Sequence, residues 1–477
     1  MKREEGAAGT GNIPLILDVD GSLLPTDLLL ETFWAALGKN LLAALAVIAT
    51  SFWSPARMKH RLSRIATPEI QHLPIRQAVL DVARRAALEG RPVILSSGAE
   101  QSLVDGLARR LGFAGAHFGS DGARNLTGAQ KATLLVERFG EGGFDYVGDS
   151  APDLAVWRHA RKVIAVAPGR LLTRRIAALG KPAQIIGNGW TYSNLLKEMR
   201  PYQWVKNLLL LIPLLVEHSI SVDRLLPVLA AITAFCVGSS ALYLVNDMLD
   251  LAADRKHAEK RYRPIASGAL PIRIAMLASL TLGAAGLTLS WMVGADVAGL
   301  LLVYMAGSLV YSLRLKRLAW VDLLVLASLY TLRVVAGAAA ASVSASLWAL
   351  PFCFAVFFCL TAVKRLTDLA RFDGDGPLPG RRYERRHVTA LLVVADLAAM
   401  VAIGFYLPYT FTPEAASLYS NLFALRLAAI PIALWLLRMV RLSQIGREDY
   451  DPIVFISHDA TGFLIVAAGL SCVLFAI

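Results

Sequence analysis

Within nine residues, Asn246 to Asp254, the stretch NDMLDLAAD places three aspartates and an asparagine, and five basic residues follow by Arg263. Asn246, Asp250 and Asp254 are spaced i, i+4, i+8, so on a continuing helix they line one face, with Asp247 beside them. Carboxylates crowded this way repel one another unless a cation joins them. Hard oxygen ligands suit Mg²⁺, which keeps several waters and completes its shell with substrate phosphates. Lys260, Arg261 and Arg263 are then placed to bind phosphate oxygens, arginine in bidentate fashion. Acid and base in one loop read as a magnesium-diphosphate site. The plainer reading is a solvated, salt-bridged loop; carboxylates at the edge of a membrane helix are costly and generally functional, which favours the site.

A second acidic pair, Asp18 and Asp20, ends the short apolar run in IPLILDVDGSLLPTD. That is the pattern of a buried parallel strand delivering two carboxylates to its C-terminal edge.

The elements that position these residues follow from composition. With 56% hydrophobic residues in 477 and a mean hydropathy of +0.53, the chain is expected to be an integral membrane protein. Apolar residues are unevenly spread: up to about Lys197 the pattern is that of a soluble α/β domain, and beyond Arg200 long apolar stretches begin. We therefore expect two domains, 1–197 and 198–477. Stretches near residues 213, 235, 282, 303, 330, 353, 398, 430 and 467 predict about nine transmembrane helices, each needing roughly twenty apolar residues.

Basic residues separate the connections. Arg255 to Arg273, Arg314 to Arg317, Lys364 to Arg386, and Arg441 with Arg447 follow the second, fourth, sixth and eighth spans, whereas VGADVAG, AASVSAS and PYTFTPEAASLYSN carry no lysine or arginine. The positive-inside rule puts the basic loops and the N-terminal domain in the cytoplasm and the C-terminus outside, as in a multi-pass protein of a bacterial-type inner membrane. The net charge of +12 is thus mostly a topology signal, and no motif supports nucleic acid as a partner. Cys236, Cys353, Cys359 and Cys472 lie in apolar stretches without metal spacing and read as packing residues. The N-terminus lacks the pattern of a secretory signal.

At this point the residues resemble a family. NDMLDLAADRKHAEKRYRPIASG is similar to the NDxxDxxxD signature of the UbiA-type intramembrane prenyltransferases. More narrowly, RPYQWVKN at Arg200 to Asn207, YTLRVVAGA at Tyr330 to Ala338 and VKRLTDL at Val363 to Leu369 resemble the decaprenyl-phosphate phosphoribosyltransferase branch. The resemblance implies transfer of 5-phosphoribosyl from phosphoribosyl pyrophosphate to a polyprenyl phosphate lipid. Magnesium held by Asn246, Asp247, Asp250 and Asp254 would neutralise the departing pyrophosphate. Where aromatic prenyltransferases of the wider family carry a second aspartate-rich motif, this chain has Lys364, Arg365 and the single carboxylate Asp368, at which the branch tends to show glutamate. The basic pair suits two phosphate-bearing substrates better than a neutral aromatic acceptor.

Arg333, inside the fifth apolar span, is expected to serve substrate or to pair with a carboxylate. Arg200, Gln203 and Lys206 are expected either to seat the lipid phosphate or to anchor the chain at the interface. Alternatives of other kinds are a prenyltransferase moving a polyprenyl group from its diphosphate to an aromatic acceptor, beside an independent phosphatase, and a transporter or lipid-binding scaffold. The acidic signature disfavours the last. A homo-oligomer is compatible with each.

The N-terminal half resembles the haloacid-dehalogenase-like (HAD) phosphatases, an α/β Rossmann-like fold. The matches are IPLILDVDGSLLPTD, PVILSSGA with Ser97, GAQKATLL with Lys131, and FDYVGDSAPDLAVW with Asp149 and Asp153. The resemblance implies Asp18 as the nucleophile, Asp20 as acid and base, Ser97 and Lys131 on the phosphoryl group, and Asp18, Asp149 and Asp153 around a second Mg²⁺. Residues of about 26–75 are expected to form a helical cap. Its apolar core is too short to span a bilayer. It either rests on the membrane, with Trp34, Phe52 and Trp53 in the lipid and Arg57, Lys59 and Arg61 at the headgroups, or packs as an ordinary core.

Overall fold

The structure, a computed structural model, describes residues 13–477 apart from 122, 123, 219, 345, 373, 375, 379, 447–454 and 456–458. Arg447, counted above among the basic residues, lies outside the described residues. The chain forms two compact units, Met1–Glu198 with Asp247–Leu277, and Met199–Asn246 with Ala278–Ile477. The acidic loop thus groups with the N-terminal residues.

The first unit holds one six-stranded sheet. Its strands are β1 (Leu15–Leu17), β2 (Val93–Glu100), β3 (Phe118–Ser120), β4 (Asp145–Gly148), β5 (Lys162–Val166) and β6 (Ala183–Ile186). They run parallel in the order β3-β2-β1-β4-β5-β6. Both faces of β1 are covered, which is why it reads as an unbroken apolar run. Alternation along the strand sends Leu15 and Leu17 to a core with Val79, Leu103 and Leu107, and Ile16 to another with Leu135, Phe144 and Trp157. The order reverses between β1 and β4, so a crevice opens at their C-terminal edges, where open α/β sheets bind ligands.

Three helices follow β1: Leu28–Lys39 capped by Asp27, Leu41–Ser51 capped by Asn40, and Pro55–Ile65, with proline in its first turn. Two residues expected on a membrane surface turn inward here. Trp34 is buried. Lys59 Nζ donates to the Gly98 carbonyl (2.5 Å) and to Asn125 Oδ1 (2.8 Å). Arg61 stays exposed while donating to the Thr50 and Ser51 hydroxyls. Trp34 lies on the buried face of its helix, and Lys59 finds oxygen acceptors within the fold.

Seven helices among the described residues are long and apolar enough to cross a membrane: Val222–Leu249, Ile272–Val293, Ala295–Leu313, Val321–Ala341, Ala349–Ala370, Arg385–Tyr409 and Leu422–Gln444. The expected first and ninth spans fall on shorter apolar helices, Pro201–Val216 and Ala460–Ala476. The former is a 3₁₀ helix through Leu211 before becoming α-helical.

Within the second unit, small residues bring backbones together, as membrane helices require. A Cβ on Gly337 would overlap the backbone of Leu210, and one on Gly286 would lie 3.0 Å from the Ala234 carbonyl oxygen. Leu323, Val363, Leu391 and Met439 share one apolar core, while Leu280, Met292, Leu302 and Met400 face outward, as lipid-facing side chains do.

Candidate functional site

The crevice between β1 and β4 gathers carboxylates. Asp18 and Asp20 leave the end of β1, Asp149 follows β4, and Asp153 sits in the 3₁₀ turn Ala151–Asp153. Lys131, from the helix Gly128–Phe139, reaches Asp18 Oδ1 at 2.5 Å and donates to the Tyr146 hydroxyl at 2.9 Å. Tyr146 in turn donates to Asp153 Oδ1 at 2.8 Å. The other Asp153 oxygen accepts from the amides of Asp149 and Ser150 at 3.1 and 3.0 Å. Gly21 adopts a left-handed conformation against Asp149, where any Cβ would collide with the carboxylate.

One carboxylate oxygen each from Asp18, Asp149 and Asp153 lie within 4.8 Å of one another. Three hard oxygens at this separation fit a divalent cation such as Mg²⁺. Burial, and then the neighbouring acids, hold Asp18 and Asp149 toward their protonated forms. Asp18 is raised well above the ordinary carboxylate range by burial, against the pull of Lys131. Asp149 is pushed up to about 7 by burial, Asp153 and Asp20. A dication would reverse this repulsion.

Asp20 is set apart from that triad. Its Oδ1 accepts from the Leu28 amide at 2.7 Å and its Oδ2 from Ser97 Oγ at 3.0 Å. Burial, then Asp27, raise its pKa to about 6. Ser97, expected on the phosphoryl group, is fully buried and spends its hydroxyl on Asp20. Tyr146 escaped sequence reading, because an aromatic in a buried strand looks like core. Ser22, whose hydroxyl donates to Asp18 Oδ2 (3.5 Å) and Asp149 Oδ1 (3.4 Å), also did; its place in the Asp-x-Asp-Gly-Ser run was the available signal.

The second acidic group lies where one helix gives way to the next. The span ends at Leu249, Asp250 leaves helical geometry, and a new helix, Leu251–Lys256, starts after it. The Asp254 amide still donates to the Asp250 carbonyl across this break, at 2.8 Å. Asp247 and Asp254, both buried, are joined by Arg263, whose guanidinium donates to them at 3.2 and 2.6 Å. Burial, and then Asp247, raise Asp254 to about 6 despite Arg263. Asp247, Asp250 and Asp254 are not drawn together as closely as the first triad; the all-oxygen donor set still suits Mg²⁺. Lys260 and Arg261 lie in the 3₁₀ turn Lys260–Tyr262, with Arg261 stacked on Tyr262.

The second unit carries the remaining candidates. Asn246 is in the last turn of the span Val222–Leu249. Arg200 has a left-handed backbone and lies over the Tyr243 ring; the Gln203 amide donates to its carbonyl, and Lys206 is buried. Arg333 is buried and donates to Asn207 Oδ1 (3.0 Å), the Leu329 carbonyl (2.9 Å) and the Tyr304 hydroxyl (2.8 Å), between the Tyr304 and Tyr330 rings. These are all neutral acceptors.

Arg365 departs from expectation. It is fully buried, with Nε on Asp322 (2.7 Å), one amino group on Asp368 (2.5 Å) and the other on Tyr311 (3.3 Å). Arg381 and Tyr383 complete the cluster around Asp322. A guanidinium so enclosed holds the fold and does not meet a substrate phosphate. Of the basic pair, Lys364 is partly exposed. Asp322 escaped notice because a single aspartate opening an apolar helix looks like a cap.

Fold and charge therefore define a multi-pass membrane protein with a parallel α/β sheet ahead of its spans. The chain belongs to the UbiA prenyltransferase family, whose model matches residues 209–466. It is 33% identical over 466 residues to an uncharacterised protein of Sinorhizobium fredii, covering 95% of this chain and 89% of that one. It is 34% identical over 232 residues to the decaprenyl-phosphate phosphoribosyltransferase of Mycolicibacterium smegmatis, covering 47% of this chain and 72% of that enzyme. A solved UbiA homolog from Archaeoglobus fulgidus bound to GPP and Mg²⁺ is 15% identical, with a TM-score of 0.45, over 60% of this chain and all (100%) of that one.

Proposed function

We propose that this protein is a two-domain enzyme, divided at about 197/198, that transfers 5-phosphoribosyl from phosphoribosyl pyrophosphate to a polyprenyl phosphate and then removes the 5-phosphate from the lipid product. The observation that carries this reading is that both acidic groups, Asp18/Asp149/Asp153 and Asp247/Asp250/Asp254, belong to one compact unit. The similarity to phosphoribosyltransferases supports the first reaction. The carboxylate-lysine arrangement at the sheet edge supports a HAD-type phosphatase for the second.

In the transfer, Asp247, Asp250, Asp254 and Asn246 would hold Mg²⁺, which supplies charge compensation to the leaving pyrophosphate. Arg263 carries a donor fork suited to that pyrophosphate. Lys206 and Arg333 offer buried positive charge to the lipid phosphate, itself a nucleophile with little need of a general base. In the hydrolysis, Asp18 attacks phosphorus, Lys131 fixes the attacking carboxylate, and Asp20 gives its proton to the leaving alcohol and takes one from the incoming water. Asp18, Asp149 and Asp153 would hold a second Mg²⁺ there. The shorter helices Pro201–Val216 and Ala460–Ala476 serve as the first and ninth of nine spans, the basic loops and soluble domain being cytoplasmic and the C-terminus outside.

The test is to incubate membranes containing the protein with labelled phosphoribosyl pyrophosphate and polyprenyl phosphate, then weigh the chloroform-extractable lipids by mass spectrometry. Native enzyme should yield ribosyl lipid, and Asp18→Asn should accumulate the same lipid heavier by one phosphate. No labelled lipid from either sinks the transferase reading. An unchanged product ratio in Asp18→Asn sinks the coupled phosphatase.

A further inference from the structure

The helix Leu41–Ser51 has the sequence LLAALAVIATS, yet only Ala44 and Ser51 are buried. Leu42 is 72% exposed, and Phe52 and Trp53, just past its end, are 62% and 92% exposed. A helix apolar on all sides must be covered by something other than water. At about 1.5 Å per residue its 11 residues are too few to cross a bilayer.

Two observations identify the cover. Gly38 stands just before the helix, and a Cβ on it would lie 3.8 Å from the carbonyl oxygen of Leu249. Leu249 is the last residue of a helix long and apolar enough to cross a membrane, so the apolar turn begins beside the end of that helix. In addition, residues 32–68 contain five lysines and arginines and no aspartate or glutamate. Of these, Lys39, Arg57, Arg61 and Arg64 are exposed, as needed to meet anionic headgroups. Tryptophan and phenylalanine at the end of the helix suit the same interfacial depth.

We infer that residues 41–53 form a lipid-binding surface, lying in the headgroup region of the bilayer with Leu42, Leu45, Phe52 and Trp53 among the upper acyl chains. This tethers the cap beside the Asp18 site to the membrane. It concerns where the turn sits and stands apart from the phosphatase reading.

The test uses full-length protein in nanodiscs of phosphatidylcholine with phosphatidylglycerol, lacking its four native cysteines and carrying a nitroxide at Leu42→Cys, Leu45→Cys or, as a water-exposed control, Glu89→Cys. The label at positions 42 and 45 should collide with oxygen more than with a soluble nickel chelate, and the control should show the reverse. Control-like collisions at 42 and 45 overturn the inference. So does shielding from both agents with spin-spin broadening that vanishes on dilution with unlabelled copies, which makes a second copy the cover. Where the cysteine-free protein does not fold, brominated lipid should quench native protein more than Trp53→Phe; equal quenching overturns the inference as well.

Discussion

The guanidinium of Arg255 closes on both carboxylate oxygens of Glu31, at 2.9 and 2.6 Å, with both side chains buried. Arg255 follows Asp254 in the acidic loop, and Glu31 lies one turn into the helix whose first amide holds Asp20. Thr26 donates to the same Glu31 oxygen at 2.6 Å, Arg273 reaches Asp27 at 3.2 Å, and Gly268 leaves no room for a Cβ beside Pro25. The turn after Asp20 is thus held by Arg255, Gly268 and Arg273, from the segment that follows the other acidic group.

Breaking this pair leaves a buried charge without its partner, which costs about 3–5 kcal/mol. Glu31→Gln and Arg255→Met should each lower the denaturation midpoint sharply, and the double variant should lose less than their sum. Additive losses would show that the contact contributes nothing.

Arg365→Lys should behave as a folding mutant. A lysine cannot supply the planar fork that meets Asp322, Asp368 and Tyr311 together. We expect a loss of about 3 kcal/mol from the broken buried pairs to Asp322 and Asp368, read as lower yield and a lower midpoint, with the KM for phosphoribosyl pyrophosphate unchanged in the protein that folds. A raised KM at native stability would return Arg365 to the substrate.

Asp254→Asn should abolish transfer and leave the protein folded, and EDTA should do the same to native enzyme. In the native protein Asp254 has a pKa raised to about 6. Its carboxylate is therefore available above that pH and is lost by protonation as pH falls through it. The half-saturating Mg²⁺ concentration should rise as assays move below about pH 6. A Mg²⁺ requirement flat with pH would contradict the assignment.

Asp20, also raised to about 6, holds its proton below that pH and loses it above. If it protonates the leaving alcohol, phosphatase turnover on alkyl phosphates should fall as pH rises through about 6. That fall should vanish with an aryl phosphate, whose leaving group needs no proton. Asp20→Asn should slow phosphoryl transfer to Asp18 from the alkyl ester and not from the aryl ester, while the later hydrolysis slows for both. An equal loss on both in that first step would make Asp20 a structural residue.

What the sequence by itself determined is whatever depends on local pattern. Long apolar stretches and alternating basic loops mark a membrane chain. An apolar run ending in Asp-x-Asp marks a buried strand with carboxylates at its edge, since period and polarity alone decide which side chains can be buried. Tertiary structure decided what depends on distant partners. Arg365 looks like a phosphate ligand until Asp322, 43 residues away, is seen to neutralise it. Trp34 and Trp53 look alike in sequence, yet one is buried and the other exposed. Asp247 and Asp254 look like ligands awaiting a metal alone until Arg263, from beyond the next turn, is seen to donate to both. A buried charge is satisfied by whichever opposite charge the fold delivers, and spacing along the chain carries no record of that choice.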